Sequence, residues 1–65
     1  MYDFQKNLKL IRIEKGYTQQ DIAIQLDTTT EQYNRYERCK RELPLHHAIT
    51  LSEFYRMSLD DIFKK

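Results

Sequence analysis

Sixty-five residues allow one small domain. A chain of that size buries only about 60% of the surface its unfolded form exposes, which excludes a deep substrate cavity and with it most enzyme classes. Eleven Lys and Arg against ten Asp and Glu leave a net charge of +1, a near-balance that sits awkwardly with a nucleic-acid partner. Hydrophobic residues at 40% and charged residues at 32% describe a globular chain, not a disordered one. One Gly and one Pro favour helices joined by short connections. The single Cys39 excludes an intrachain disulfide and a Cys-based zinc site. The lone thiol and the lack of a leader-like segment fit a reducing cytoplasm. No apolar run approaches the roughly 18 residues of a membrane span.

In chain order, Phe4, Leu8 and Ile11 share one helical face of a first helix over 3–15, with Asp3 as N-cap and Gly16 as left-handed C-cap. Thr18 suits the N-cap, and Asp21 three residues on places a carboxylate in the first turn, close to the capping-box pattern, and opens a second helix. Its apolar face is Ile22, Ala23 and Leu26. Asp27-Thr28-Thr29 is a polar break. Thr29 with Gln32 repeats the capping-box spacing and opens a third helix that runs to about Arg38. A charged loop, 38–43, follows. Pro44 suits the first turn of a fourth helix, whose apolar stripe reads Leu45, Ala48, Ile49, Ser52 and Tyr55, widened by Leu51 and Phe54. Ser58 caps a last short helix carrying Asp60, Asp61, Ile62 and Phe63. The expected class is all-α: five short helices and no strand.

The second and third helices, joined by about three polar residues with the small Ala23 mid-way along the first of them, have the helix-turn-helix arrangement. The unit is expected over about 18–38. Ala23 allows close approach where the helices cross. Thr18-Gln19-Gln20-Asp21-Ile22-Ala23, Tyr33-Asn34-Arg35-Tyr36-Glu37, Lys40-Arg41-Glu42-Leu43-Pro44 and the closing run 54–62 resemble, in order and without a gap, the lambda-repressor/Cro-type (XRE-like) helix-turn-helix family.

That resemblance implies a five-helix, usually dimeric domain that binds operator DNA as a transcriptional regulator. It places Thr30, Glu31 and Arg35 at base-reading positions. Arg35 suits guanine O6 and N7, and Glu31 suits cytosine N4. Gln19 is implied to face a phosphate, Thr29 and Asn34 to flank the readers, and Lys40 and Arg41 to contact the backbone. Arg12 and Glu37 match the family's partly buried ion pair between helices one and three. Three positions depart from its pattern. Asp27 stands where Gly is frequent and can adopt the same backbone geometry. Cys39 stands in place of the Gly of an Asn-Gly turn, and a remodelled loop is expected there. Tyr33 replaces a branched aliphatic residue and needs a partner for its hydroxyl.

Other readings are weaker. Tyr36 and Tyr55 fall on apolar faces and read as core, and Tyr17 occupies a hydrophobic-staple position. His46, His47 and Cys39 offer no ligand spacing, so no metal and no cofactor are expected. No catalytic order of nucleophile and base is visible.

Charge is unevenly spread. Residues 1–15 carry four cations against two anions (+2), residues 16–37 one against four (−3), and residues 38–42 three against one (+2). An Arg12–Glu37 pair absorbs part of the acidity of the middle segment. The expected function is sequence-specific binding of double-stranded DNA by a repressor, acting as a homodimer on a pseudo-palindrome. The expected dimer patch is Leu59, Ile62 and Phe63 on the last helix. The alternative is a protein-interaction module of the same fold, antitoxin-like or anti-repressor, with weak or no DNA binding.

Overall fold

The computed structural model describes residues 5–63. Five helices follow one another: α1 Asn7–Lys15, α2 Gln19–Gln25, α3 Thr30–Glu37, α4 Leu45–Tyr55 and α5 Leu59–Phe63. The described residues contain no strand, so the fold is all-α. Asp3 and Phe4, expected to cap and extend α1, lie outside the described residues. No side chain caps α1 at its observed start, Lys6.

The starts of α2, α3 and α5 follow the capping residues. The Thr18 hydroxyl accepts from the Asp21 N–H at 3.1 Å, and the Asp21 carboxylate accepts from the Thr18 N–H at 2.9 Å, a complete capping box. Thr29 caps α3 through the Gln32 N–H at 3.0 Å. The reciprocal bond is missing, because the Gln32 side chain turns instead to the Tyr36 hydroxyl and Arg35. Ser58 accepts from the Asp61 N–H at 3.0 Å. Pro44 sits one residue before α4 rather than inside its first turn, at φ −60° and ψ 150°.

The helix ends share one device. Gly16, Asp27, Cys39 and Arg56 all have positive φ: 84°, 55°, 57° and 57°. After each, the next N–H reaches back five residues: Tyr17 to the Arg12 carbonyl, Thr28 to Ala23, Lys40 to Arg35 and Met57 to Ser52. This Schellman bond satisfies carbonyls that the helix end would otherwise orphan. The loop at Cys39 is therefore not remodelled, contrary to the sequence expectation. The need to cap α3 outweighs the discomfort of a side chain in the left-handed region.

The core is built from all five helices. Leu8 and Ile11, Ile22, Ala23 and Leu26, Tyr33 and Tyr36, Ala48, Leu51 and Tyr55, and Ile62 are buried, together with Leu43 from the loop. The most extensive helix–helix contact is that of α2 with α3, where Ala23 is almost fully covered. The α4 stripe is narrower than its sequence suggests: Leu45 is 68% exposed and Ile49 44%. Tyr17 lays its ring 5.0 Å from Phe54 and 6.4 Å from Tyr55, so it staples α2 to α4.

Candidate nucleic-acid interface

The α2–α3 pair is held against α1 by a buried polar hub. Arg12 Nε donates to Glu37 Oε2 at 2.6 Å and Nη2 to Oε1 at 3.2 Å. The third contact of the guanidinium, Nη1 to the Tyr17 carbonyl at 2.9 Å, ties the turn before α2 to the same group. The Glu37 side chain is 2% exposed. A charge so deeply placed persists only when paired and hydrogen-bonded. Glu37 has a further donor, Gln19 Nε2 at 3.0 Å, and Gln19 Oε1 in turn accepts from Asn34 Nδ2 at 3.3 Å. The chain thus runs from α1 through the end of α3 to the start of α2, and back to the middle of α3.

The electrostatics follow from this placement. Burial pushes the Glu37 carboxyl up, but hydrogen bonds led by those from Arg12 and Gln19 outweigh it and hold it below the ordinary carboxylate value. The hydrogen bond to Glu37 raises Arg12, against the effect of burial. Tyr33 and Tyr55 stand in the same field. Their hydroxyls are buried and make no hydrogen bond among the described residues. Burial raises both, with the Glu37 charge adding to it, and Tyr55 is pushed up to about 12. The neighbour that the Tyr33 hydroxyl has is the Glu37 carboxylate, which is near enough to act on it although the two do not meet in ordinary hydrogen-bond geometry.

Above this hub, α3 presents Thr30, Glu31 and Arg35 to solvent. Glu31 and Arg35, one turn apart, approach to 3.7 Å, and Arg35 Nη1 lies 3.4 Å from Gln32 Oε1. An exposed pair of this kind contributes about 0–1 kcal/mol, so Arg35 exchanges it readily for another acceptor. Thr29 is occupied as the N-cap of α3, and Gln19 and Asn34 are joined to each other. Lys40 and Arg41 are exposed on the loop after α3.

That loop is fixed by a residue that sequence reading missed. Gln5 is fully buried. Its Nε2 donates to the Tyr36 carbonyl at 2.7 Å and the Arg41 carbonyl at 2.9 Å, and its Oε1 accepts from the Leu43 N–H at 2.7 Å. All three partners are backbone groups, which leave no mark on side-chain patterns. Gln5 does stand three and seven residues before Leu8 and Arg12, just ahead of α1 but in register with its buried face, and that spacing is the available signal.

The expected dimer patch needs correction. Ile62 is wholly buried in the core and contributes nothing to a surface. Leu59 is exposed and Phe63 half-buried. They line a shallow groove of about 250 Å³ together with Glu42, Leu43, Leu45 and Ala48. Leu45, read from its spacing as core, belongs to this surface. His46 and His47 bring their rings to 4.2 Å of each other, and the His47 ring lies 6.0 Å from that of Tyr36. Among the described residues no three His, Cys, Asp or Glu side chains gather as a metal-ligand set. No helix among them is long and apolar enough to cross a membrane.

The helix-turn-helix family profile matches residues 8–62. The chain is also 38% identical over 61 residues to YqaE of Bacillus subtilis (strain 168), an uncharacterized HTH-type transcriptional regulator. The match covers 94% of this chain and 53% of the relative, so the chain spans about half the relative's length.

Proposed function

Because the chain belongs to the helix-turn-helix family of the Cro/C1 (XRE) type, we propose that it is a sequence-specific double-stranded DNA-binding transcriptional regulator of the cytoplasm, repressing as a homodimer on a pseudo-palindromic operator. The observation that carries this reading is the α2–α3 pair, locked from behind by Arg12–Glu37 and presenting Thr30, Glu31 and Arg35 outward. A recognition helix reads base edges only if its register is rigid, and a buried, fully paired carboxylate at its C-terminal end supplies that rigidity. In this mechanism α3 enters the major groove, Arg35 pairs with guanine, and Glu31 accepts from cytosine. Gln19, Thr29 and Asn34 border the phosphates, and Lys40 and Arg41 neutralise them. Repression is steric.

Charge sets the balance between affinity and specificity. Removing Glu37 from the surface account leaves the 16–37 segment at −2 instead of −3. Non-specific binding is therefore weak, and two copies are needed. Two-fold symmetry spaces the recognition helices by about 34 Å. The patch that joins them is the groove of Leu45, Leu59 and Phe63.

Selection of bound sequences from a random duplex pool tests the reading. Enrichment of a pseudo-palindrome is expected, and a pool that stays random overturns it. Arg35→Ala should relax one base pair by about 1–3 kcal/mol, while Lys40→Ala or Arg41→Ala should weaken all sequences alike and reduce the salt slope by about one. Sedimentation that finds a monomer both at high concentration and on DNA removes the dimer.

A second reading, a protein-interaction module with weak or no DNA binding, is favoured by a different observation. Leu10 and Ile13 on α1 and Ile24 on α2 expose more than half of their surface. Silence on generic duplex at low salt selects that reading.

A further inference from the structure

The amide chain that leaves the buried hub has only one possible polarity. An ionised carboxylate accepts and cannot donate. Gln19 must therefore turn its Nε2, not its Oε1, toward Glu37, as the 3.0 Å contact shows. Its Oε1 is then directed at Asn34, which can meet it only with Nδ2, at 3.3 Å. Glu37 is kept ionised by Arg12 at 2.6 Å, so the order of donors and acceptors is set from inside the core outward. Gln19 keeps one uncommitted hydrogen on Nε2. Rotated by 180° about its last bond, the same amide would place an oxygen against a carboxylate and an NH₂ against an NH₂.

We propose that Asn34 is a positioning residue: by donating to Gln19 Oε1 it locks the carboxamide with its remaining Nε2–H as a hydrogen-bond donor for a DNA phosphate. The inference rests on the DNA-binding reading above and sharpens it, since it moves Asn34 from contact to support. A free glutamine at a surface spends much of its time in other rotamers, and a locked one loses less freedom on binding. The contact is neutral, so it adds affinity on every sequence without adding to the number of ion pairs.

A double-mutant cycle tests it. Wild type, Gln19→Ala, Asn34→Ala and the double variant are titrated with one generic DNA duplex over a range of salt. Gln19→Ala should weaken binding about three- to tenfold, the worth of one hydrogen bond, with the salt slope unchanged. Asn34→Ala should weaken wild type measurably, yet change the Gln19→Ala protein by less than about twofold, within ordinary additivity. A merely structural role would not produce that coupling. A second measurement needs no DNA: the side-chain NH₂ signals of Gln19 in the ¹⁵N-correlated spectrum should move and exchange faster in Asn34→Ala. Equal loss from Asn34→Ala in both backgrounds makes Asn34 a direct contact and overturns the inference while sparing the DNA reading. Gln19 signals that ignore Asn34→Ala overturn it as well. A wild type that binds no duplex removes the DNA reading first, and the role of Asn34 with it.

Discussion

The two sides of this small domain are finished in opposite ways. On the α2–α3 side a capping box, an ion pair and two linked amides join most of the polar groups, and Thr30, Glu31 and Arg35 reach solvent, with Ile24 the one large exposed aliphatic of that helix pair. On the α4–α5 side Leu45, Ile49 and Leu59 reach solvent, and Leu45 and Leu59 line a groove together with Phe63. Their polar counterpart is a short list, chiefly the Ser58 cap. Sixty-five residues cannot bury every apolar stripe that they carry. The chain places its costly polar contacts where rigidity matters, and leaves apolar residues where a partner can cover them.

The largest expected effect breaks the polar side. Glu37→Ala or Arg12→Ala leaves a buried charge without its partner and should cost about 3–5 kcal/mol, enough to unfold much of the population, read by denaturant titration. The pH dependence has a definite sign. Glu37 titrates lower in the folded chain than in the unfolded one. Its contribution is therefore complete above the unfolded carboxylate range and is lost as pH falls through the lower, folded value. Acid unfolding should begin below about pH 4.5. A Glu37→Gln protein, already destabilised, should show a flatter acid limb.

Next comes Gln5. Gln5→Ala orphans the Leu43 N–H and takes the Gln5 donor from the Arg41 carbonyl, at about 1–3 kcal/mol for each group that water fails to reach, while the Tyr36 carbonyl keeps its bond from the Cys39 N–H. It should also loosen the loop carrying Lys40 and Arg41. Amide hydrogen exchange at residues 39–43 measures that separately from global stability. If Gln5→Ala unfolds no more readily than wild type, the loop is held by something other than the Gln5 amide.

Raising the pH reaches the same hub from the other end. Tyr55 is raised to about 12 against an unfolded value of 10.0. A neutral hydroxyl so placed contributes stability that is complete below pH 10.0 and is lost as pH rises toward about 12. Alkaline unfolding, followed by tyrosinate absorbance together with circular dichroism, should fall in that window. Tyr55→Phe should move it upward, and should cost little at pH 7, since the hydroxyl makes no hydrogen bond among the described residues.

The legible part of this molecule was what side chains announce by their own spacing. The caps Thr18, Thr29 and Ser58, the left-handed Gly16 and the apolar face of α2 each stand within a few residues of what they act on. Arg12 and Glu37, 25 residues apart, were paired by family resemblance and not by periodicity, and the structure sets them 2.6 Å apart. Gln5 was missed because its partners are backbone groups more than thirty residues away. The α4 stripe is ambiguous because apolar residues stand on more than one of its faces, and spacing alone does not say which face meets the core. Cys39 is illegible because the sequence displays the local strain and not the α3 carbonyls that its left-handed turn satisfies.

That strain gives a smaller prediction. Cys39→Gly and Arg56→Gly each remove a Cβ from a left-handed residue, where it costs roughly 1–2 kcal/mol. Glycine returns about 0.5–1 kcal/mol of that through a freer unfolded chain. A net gain near 0.5–1 kcal/mol per site is expected in denaturant midpoint. Cys39→Ala, which keeps the Cβ, should gain nothing, and this separates strain from thiol chemistry.

The smallest effect is the one that most directly judges the comparison. Leu45 and Leu51 are the same residue on the same helix, 68% and 0% exposed. Leu51→Ala empties core volume and should cost about 2–5 kcal/mol. Leu45→Ser removes surface that the folded monomer already leaves in water, so monomer stability should change by no more than about 0.5 kcal/mol. Sedimentation, however, should show weaker self-association, and operator binding should lose its two-site character. If Leu45→Ser instead destabilises the monomer as Leu51→Ala does, the α4 face is a misplaced part of the core, and the groove beside α5 is no interface. If it changes neither stability nor association, the exposed aliphatics of α4 and α5 are ordinary surface, and the two sides differ in composition but not in role.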